Sequence, residues 1–163
     1  MEQHLQELIN KIPTGLLIGD TWREGSAGET FDVLNPATEE KLTALASATP
    51  EDAIAALDAA CQVQDQWAHT PPRERAEILR RAYDLITDRS EEFATLMTLE
   101  MGKPLAESRG EVVYGAEFLR WFSEETVRDY GRYQPTPEGK NQILVKHKPV
   151  GPCLLITPWN FPL

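Results

Sequence analysis

The residues best suited to chemistry lie in the closing run of the chain, residues 156–162, which reads Ile-Thr-Pro-Trp-Asn-Phe-Pro. Its two prolines fix their own φ angles and push the residue before each of them toward extended backbone, so we expect a rigid loop. Between the prolines, Asn160 offers an amide with two N–H donors. Trp159 and Phe161 flank it with apolar surface that could line a pocket. A preorganised donor beside an apolar wall is what stabilisation of a developing oxyanion requires.

A purely structural role would explain the same residues. Turn asparagines commonly satisfy nearby backbone groups, and two aromatic side chains can simply pack in a core. From residue type and spacing alone, this structural interpretation is favoured over the catalytic one.

The element that must position the run is the segment 150–156, which is almost wholly apolar. An apolar segment without alternation is typical of a strand buried on both faces of a parallel sheet. In open α/β sheets, ligands bind just beyond the carboxyl ends of such strands. A parallel strand needs partner strands and covering helices, and we find no second strand of this kind upstream. The sequence therefore predicts an incomplete fold unit.

Capping residues and hydrophobic periodicity predict the elements that precede this strand. In chain order these are an amphipathic lead over 1–13, a hairpin over 16–22, a strand over 30–36, helices that start at Pro50, Pro71, Ser90 and Pro104, the last of which reaches about residue 130, and a lysine-bearing, water-facing strand over 142–148. Gly110 and Gly115 each weaken the last helix by about 1 kcal/mol relative to alanine, which suggests close packing there.

The bulk composition excludes several classes of protein. The chain has 163 residues, a formal net charge of −10 and 41% hydrophobic residues. An acidic surface repels nucleic acid and anionic membranes. Cys61 and Cys153 belong to no CxxC pair and are expected to be core thiols, while His4, His69 and His147 lack ligand spacing, so no metal site is predicted. The absence of a secretory signal or a long apolar run favours a cytoplasmic protein.

The closing run and the Pro-Val-Gly-Pro at 149–152 resemble the strand and loop that open the cofactor domain of the aldehyde dehydrogenase superfamily. The resemblance extends over about residues 15–163 and includes Ile-Gly-Asp-Thr-Trp at 18–22, Asn-Pro-Ala-Thr at 35–38, Trp67 ahead of Pro71, and Leu-Glu-Met-Gly-Lys-Pro at 99–104. The stretch 107–125 is similar to succinate-semialdehyde dehydrogenases.

The resemblance implies an α/β fold built from part of that family's cofactor-binding domain. The hairpin and helices of the domain would occupy 1–138, a strand of the oligomerisation type 139–149, and the first parallel strand of a Rossmann-like sheet with its loop 150–163. With the resemblance, the catalytic interpretation of Asn160 becomes the favoured one.

The resemblance also implies a reaction. In the family, a cysteine thiolate attacks an aldehyde, hydride passes to NAD or NADP, and water hydrolyses the thioester. Asn160 would donate to the oxyanion, Phe161 would line the aldehyde pocket, and the cofactor would lie along Ile156, Thr157, Pro158, Trp159 and Asn160. The nucleophilic cysteine, the general-base glutamate and the glycine-rich cofactor loop belong to later sequence, so the 163-residue segment alone is expected to be inactive.

The resulting expectation is the N-terminal part of an NAD- or NADP-dependent oxidoreductase that converts an aldehyde, foremost succinate semialdehyde, to the carboxylic acid. The full-length enzyme would be a homo-oligomer, a dimer or a tetramer. Two alternatives stay open. One is an aldehyde dehydrogenase for another substrate class, such as betaine aldehyde. The other is a truncated, non-catalytic interaction module.

Overall fold

A computed structural model describes residues 2–163, with side chains from residue 5 onward, so the side chain of His4 lies outside the described part. It contains five α-helices, a 3₁₀ turn and six short strands within those residues. In chain order they are α1 Glu2–Ile9, β1 Leu16–Ile18, β2 Thr21–Arg23, β3 Thr30–Leu34, β4 Lys41–Ala46, α2 Pro50–His69, α3 Pro72–Asp88, α4 Ser90–Met101, α5 Leu105–Glu125, the 3₁₀ turn Thr126–Arg128, β5 Arg132–Pro135 and β6 Gln142–Val145.

The predicted helices are present, with small differences at their ends. The second predicted helix begins one residue later than expected. Pro71 has extended backbone (φ −53°, ψ 139°), and Pro72 is the first helical residue. The last helix likewise starts after Pro104 and is α-helical only to Glu125, after which a 3₁₀ turn tightens the chain. Gly102 ends α4 in the left-handed region, with φ of 77°. Glycine adopts that conformation without steric cost.

The strands form three separate antiparallel pairs, β1–β2, β3–β4 and β5–β6. Sequence reasoning missed β4 and β5. All but the first residue of β4 are half-buried, so neither face shows the clear alternation that marks a strand. β5 is mostly polar and exposed, and it forms a strand by antiparallel pairing with β6, which comes later in the chain.

The strand expected over 150–156 is not formed. Val150 is 91% exposed and Leu154 is 86% exposed, and the segment has no secondary structure. The prediction of burial is therefore wrong for this chain. A parallel strand exists only through hydrogen bonds to a neighbour, and none of the strands among residues 2–163 pairs with this segment.

The apolar core lies where α4 packs against α5. Ala94 and Met97 of α4 and Val112 of α5 are buried together. Partly buried apolar side chains surround them: Ile86, Phe93, Leu105 and Leu163. Leu163 follows the closing run directly, so the core that orders α4 and α5 also holds the end of that run.

A hydrogen-bond network connects the loop after β2 to the start of α2. Thr49 and Asp52 form a capping box, in which the Asp52 backbone N–H donates to Thr49 Oγ1 and the Asp52 carboxylate accepts from the Thr49 backbone N–H at 3.0 Å. The same carboxylate accepts from the Ser26 backbone N–H at 2.9 Å. Asp52 is 3% exposed. These backbone donors, first that of Thr49 and then that of Ser26, lower the pKa of Asp52 to about 2, from 3.8, against the opposing effect of burial.

We expect Asp52 to make this chain sensitive to acid. Because its pKa in the folded chain is depressed, its contribution to stability is fully present above about pH 4 and is lost as the pH falls toward about 2. Asp52→Asn removes the titration and should flatten the fall in stability over that window. Urea unfolding followed by circular dichroism at several pH values measures it, with the exposed Asp58→Asn on the same helix as the control. An unchanged pH slope in Asp52→Asn would contradict the assignment.

Candidate functional site

The closing run folds into a tight turn at its centre. The Phe161 backbone N–H donates to the Pro158 carbonyl at 3.1 Å, which places Trp159 and Asn160 at the two middle positions. Asparagine is among the residues favoured in turns, and Pro158, with its fixed φ, occupies the first position of this one. The turn thus presents Asn160 at a tip, held by the chain on both sides.

Two charged residues outside the run hold this turn. Lys103 Nζ donates to the Asn160 backbone carbonyl at 2.7 Å and lies 4.4 Å from the centre of the Phe161 ring. Lys103 also pairs with Glu111, whose other carboxylate oxygen accepts from the Leu163 backbone N–H at 3.1 Å. The side chains of Lys103 and Glu111 are 11% and 2% exposed. One buried ion pair therefore contacts the run at Asn160 and the chain directly after it at Leu163.

The local sequence explains why the pair sits there. Gly102 ends α4 and Pro104 precedes α5, so Lys103 lies in the short bend between the two helices. Glu111 shares the buried face of α5 with Ser108, one turn earlier, and Ser108 is hydrogen-bonded to Thr98 of α4 at 3.0 Å. The packing of α4 against α5 thereby brings both charges beneath the closing run.

The run approaches α5 closely at Gly115. A Cβ built at Gly115 would lie 3.1 Å from both Leu163 Cγ and the Leu163 carbonyl oxygen, tighter than ordinary contact. The predicted close packing is confirmed for Gly115. It is wrong for Gly110, where a Cβ would meet nothing within 4 Å.

An apolar wall borders Asn160. The Phe161 ring meets the Tyr114 ring edge-on at 6.5 Å, and Tyr114 meets Phe118 at 5.2 Å. Trp121 and Phe122 extend the same face of α5 and are about as exposed. The wall that sequence reasoning assigned to Trp159 and Phe161 is thus built from Phe161 and α5, while Trp159 is 86% exposed.

The remaining predicted residues stay apart from that wall. Ile156 is 85% exposed, and Thr157 and Pro158 are exposed as well. The Asn160 side chain is exposed, and its amide makes no hydrogen bond within the described residues. Its two donors are therefore available to an external acceptor.

Both cysteines differ from the prediction. Cys61 and Cys153 are free and exposed, so the expectation of two core thiols is wrong. Cys61 lies on the outer face of α2, and Cys153 lies in the segment that forms no strand and so is not enclosed by one. Among residues 2–163, no helix is both long and apolar enough to cross a membrane.

Sequence reasoning missed Lys103 and Glu111 as contacts of the run. A signal for Glu111 was available, since it falls on the same helical face as Val112 and Ala116. A carboxylate on an apolar face needs a cation or other donors, because a lone buried charge is costly. No local pattern points to residues 160 and 163 as its neighbours.

Comparison with known proteins decides the family. The model of the "Aldehyde dehydrogenase family" matches residues 22–163. The chain belongs to the aldehyde dehydrogenase family. This confirms the resemblance on which the sequence-based expectations rested. A succinate-semialdehyde dehydrogenase of Paenarthrobacter nicotinovorans is 81% identical over 122 residues, which is 75% of this chain and 27% of that relative.

More distant relatives and solved structures agree. The succinate-semialdehyde dehydrogenase [NADP(+)] of Escherichia coli (strain K12) is 41% identical over 90% of this chain and 30% of its own length. A solved E. coli NADP-dependent enzyme superposes with a TM-score of 0.89 at 40% identity, covering 94% of this chain and 32% of that one. Betaine aldehyde dehydrogenase from Staphylococcus aureus, in complex with NAD+, gives 0.93 at 27% identity, covering 99% and 33%.

These superpositions confirm the α/β fold class. The chain spans about a third, or less, of the length of the relatives that it matches.

Proposed function

We propose that this chain is the N-terminal part of an aldehyde dehydrogenase that oxidises succinate semialdehyde to the dicarboxylic acid with NAD+ or NADP+. The observation that carries the proposal is Asn160, whose amide makes no hydrogen bond among the described residues and lies at the tip of a held turn beside an aromatic wall. As the aldehyde carbon becomes tetrahedral, its oxygen gains negative charge, and an amide donor fixed in advance stabilises that charge without reorganising. The substrate class rests on the succinate-semialdehyde dehydrogenase that is 81% identical.

Residues 156–159 are suited to the cofactor. When bound, NAD(P)+ accepts the hydride that the aldehyde carbon releases. Within the described residues, the backbone N–H and carbonyl groups of Ile156 and Thr157 make no hydrogen bonds, so they are free to pair with ribose hydroxyls or an amide. The exposed faces of Ile156 and Trp159 offer apolar surface to a flat ring. Phe161, against Tyr114, would line the aldehyde pocket.

The proposed division of the chain follows from the same reasoning. Residues 1–138 would supply the hairpin and helices of the cofactor domain, 139–149 a strand that pairs subunits of a dimer or tetramer, and 150–163 the opening strand and loop of the cofactor sheet. In the complete enzyme, added strands would give 150–156 the partners that it lacks here. We place that enzyme in the cytoplasm.

A second candidate substrate is another anionic aldehyde. A 3-sulfolactaldehyde dehydrogenase of Pseudomonas putida is 41% identical, the same figure as the E. coli succinate-semialdehyde enzyme. Relatives at 41% identity therefore do not indicate which of these two anionic aldehydes is the substrate. The relative that is 81% identical favours succinate semialdehyde.

The proposal is tested by following NADH and NADPH absorbance with the complete enzyme and with the 163-residue chain. We expect the complete enzyme to oxidise succinate semialdehyde faster than 3-sulfolactaldehyde or betaine aldehyde, and the chain alone to give no turnover. Equal or better turnover of another aldehyde would overturn the substrate assignment. Turnover by the chain alone would refute the division of the site, and an inactive complete enzyme would favour a non-catalytic interaction module.

A further inference from the structure

We propose that Lys103 and Glu111 are positioning residues for the oxyanion donor: their buried ion pair holds the turn that carries Asn160 at the place and angle its amide needs. The proposal rests on the proposed role of Asn160. It adds a cause for the preorganisation that such a donor requires, and it assigns that cause to two residues that do not touch the substrate.

The first observation is that the pair contacts the chain at two separate points, within the run at Asn160 and directly after it at Leu163. Lys103 Nζ reaches the Asn160 carbonyl at 2.7 Å, and Glu111 accepts from the Leu163 N–H at 3.1 Å. A turn fixed at one point can still pivot about it. A second contact three residues later removes that freedom, so the backbone at Asn160 is set in both position and direction.

The second observation is that the contacts leave the Asn160 side chain free. Lys103 uses the backbone carbonyl, and the side-chain amide makes no hydrogen bond within the described residues. The anchoring therefore does not compete with the chemistry. Phe161 packs over the same ammonium at 4.4 Å, so the charge that holds the turn also orients the neighbouring wall.

The third observation is that the pair is itself rigidly held. Glu111 is 2% exposed on the face of α5 that packs against α4, and Lys103 is 11% exposed in the bend between those helices. Exposed ion pairs are loosened by solvent and salt, whereas this one is shielded from both. Its position is as fixed as the helix packing around it.

The test must separate positioning from folding, because removing one partner strands a buried charge. Lys103→Met/Glu111→Leu removes both charges together, which replaces the ion pair with apolar side chains of similar size and is commonly tolerated by the fold. The matched control is Glu91→Leu/Arg109→Met. That pair also joins α4 to α5, with contacts of 2.8 and 2.9 Å, but it lies on the surface and does not touch the run.

The first readout is the order of the turn in the 163-residue chain. Amide hydrogen exchange and ¹⁵N relaxation of Asn160, Phe161 and Leu163 should show wild-type order in the control. In the double variant, the Leu163 amide should exchange faster and the turn should gain fast motion, while amides in α4 and α5 stay protected. Unchanged order of Asn160, Phe161 and Leu163 in the double variant would overturn the proposal.

The second readout is kinetic and uses the complete enzyme. A donor that is displaced by about 1 Å costs on the order of a hundredfold in rate. Because this donor acts only in the transition state, we expect the double variant to lose about tenfold to a hundredfold in kcat with KM for the aldehyde little changed. A purely structural role would instead reduce the amount of folded enzyme, at unchanged kcat per folded molecule.

The two proposals fail in different ways. If Asn160→Ala abolishes turnover and the double variant keeps wild-type kcat, the positioning role is overturned and the role of Asn160 stands. If Asn160→Ala itself leaves kcat unchanged, the proposed function of Asn160 fails, and the positioning proposal that rests on it fails too.

Discussion

Replacing Asn160 by alanine in the complete enzyme is expected to lower kcat by about 10²–10³-fold. Loss of one preorganised oxyanion donor typically raises the barrier by about 2.7–4 kcal/mol. The structure gives no competing task to this amide, since the Asn160 side chain is exposed and the turn is held through the backbone of residues 158, 160 and 161 instead. The substitution therefore removes the donor without removing what holds the loop.

The kinetic pattern distinguishes this role from substrate binding. An interaction made only in the transition state lowers kcat and kcat/KM by the same factor, whereas lost ground-state binding raises KM. Steady-state rates with succinate semialdehyde measure both. Asn10→Ala, directly after α1, is the control: it removes the same side chain from an exposed position outside the closing run and the aromatic wall. Wild-type kcat in Asn160→Ala would sink the oxyanion role.

The helices were predictable because their limits are set locally. Thr49 and Pro50 fix the start of α2 through a capping box and a preset φ, and Gly102 ends α4 because it tolerates positive φ. Such signals need only neighbours along the chain. The β4 strand was missed because half-burial on both faces erased the alternation by which a strand is recognised.

The segment 150–156 shows what periodicity cannot supply. The apolar composition of this segment indicates that it suits the interior of a sheet. Composition does not indicate whether the chain contains partner strands for it. Hydrogen-bonded neighbours decide whether a strand forms. Here none pairs with it, and Leu154 and Ile156 stay exposed. The same reasoning placed Cys153 in a core that this chain does not build.

Half of the candidate site was visible in the sequence. Asn160 and Phe161 lie in a short motif whose prolines predict a rigid turn. The residues that hold the turn were not visible, because Lys103 and Asn160 are 57 positions apart and Glu111 and Leu163 are 52 apart. Contacts at that separation depend on how α4 and α5 pack against each other. Local sequence patterns do not predict the angle at which two helices pack.

The second large effect is on stability. Glu111→Ala in the 163-residue chain should lower the free energy of unfolding by about 3–5 kcal/mol, the usual cost of breaking a buried ion pair from one side. It leaves the Lys103 ammonium with only the Asn160 carbonyl and the Phe161 ring, and it removes the acceptor of the Leu163 N–H. Urea unfolding by circular dichroism should show a lower midpoint at an unchanged slope.

Glu91→Ala is the control for this measurement, because Glu91 also joins α4 to Arg109 of α5 but is exposed to solvent. A shift in Glu111→Ala no larger than in Glu91→Ala would contradict the expected cost of the stranded charge. Lys103→Met/Glu111→Leu should recover most of the loss, because neither charge is then left without its partner.

That recovery is what makes the positioning role separable from stability. A domain of this size has about 5–15 kcal/mol of stability in all, so Glu111→Ala alone could unfold a large share of the protein and lower activity for that reason. The double variant keeps the helices packed while releasing the turn from both of its anchors. Activity lost in a protein that stays folded is then expected to come from displacement of the turn and of the Asn160 amide that it carries, since the ion pair contacts the turn through the Asn160 backbone carbonyl and not through the amide.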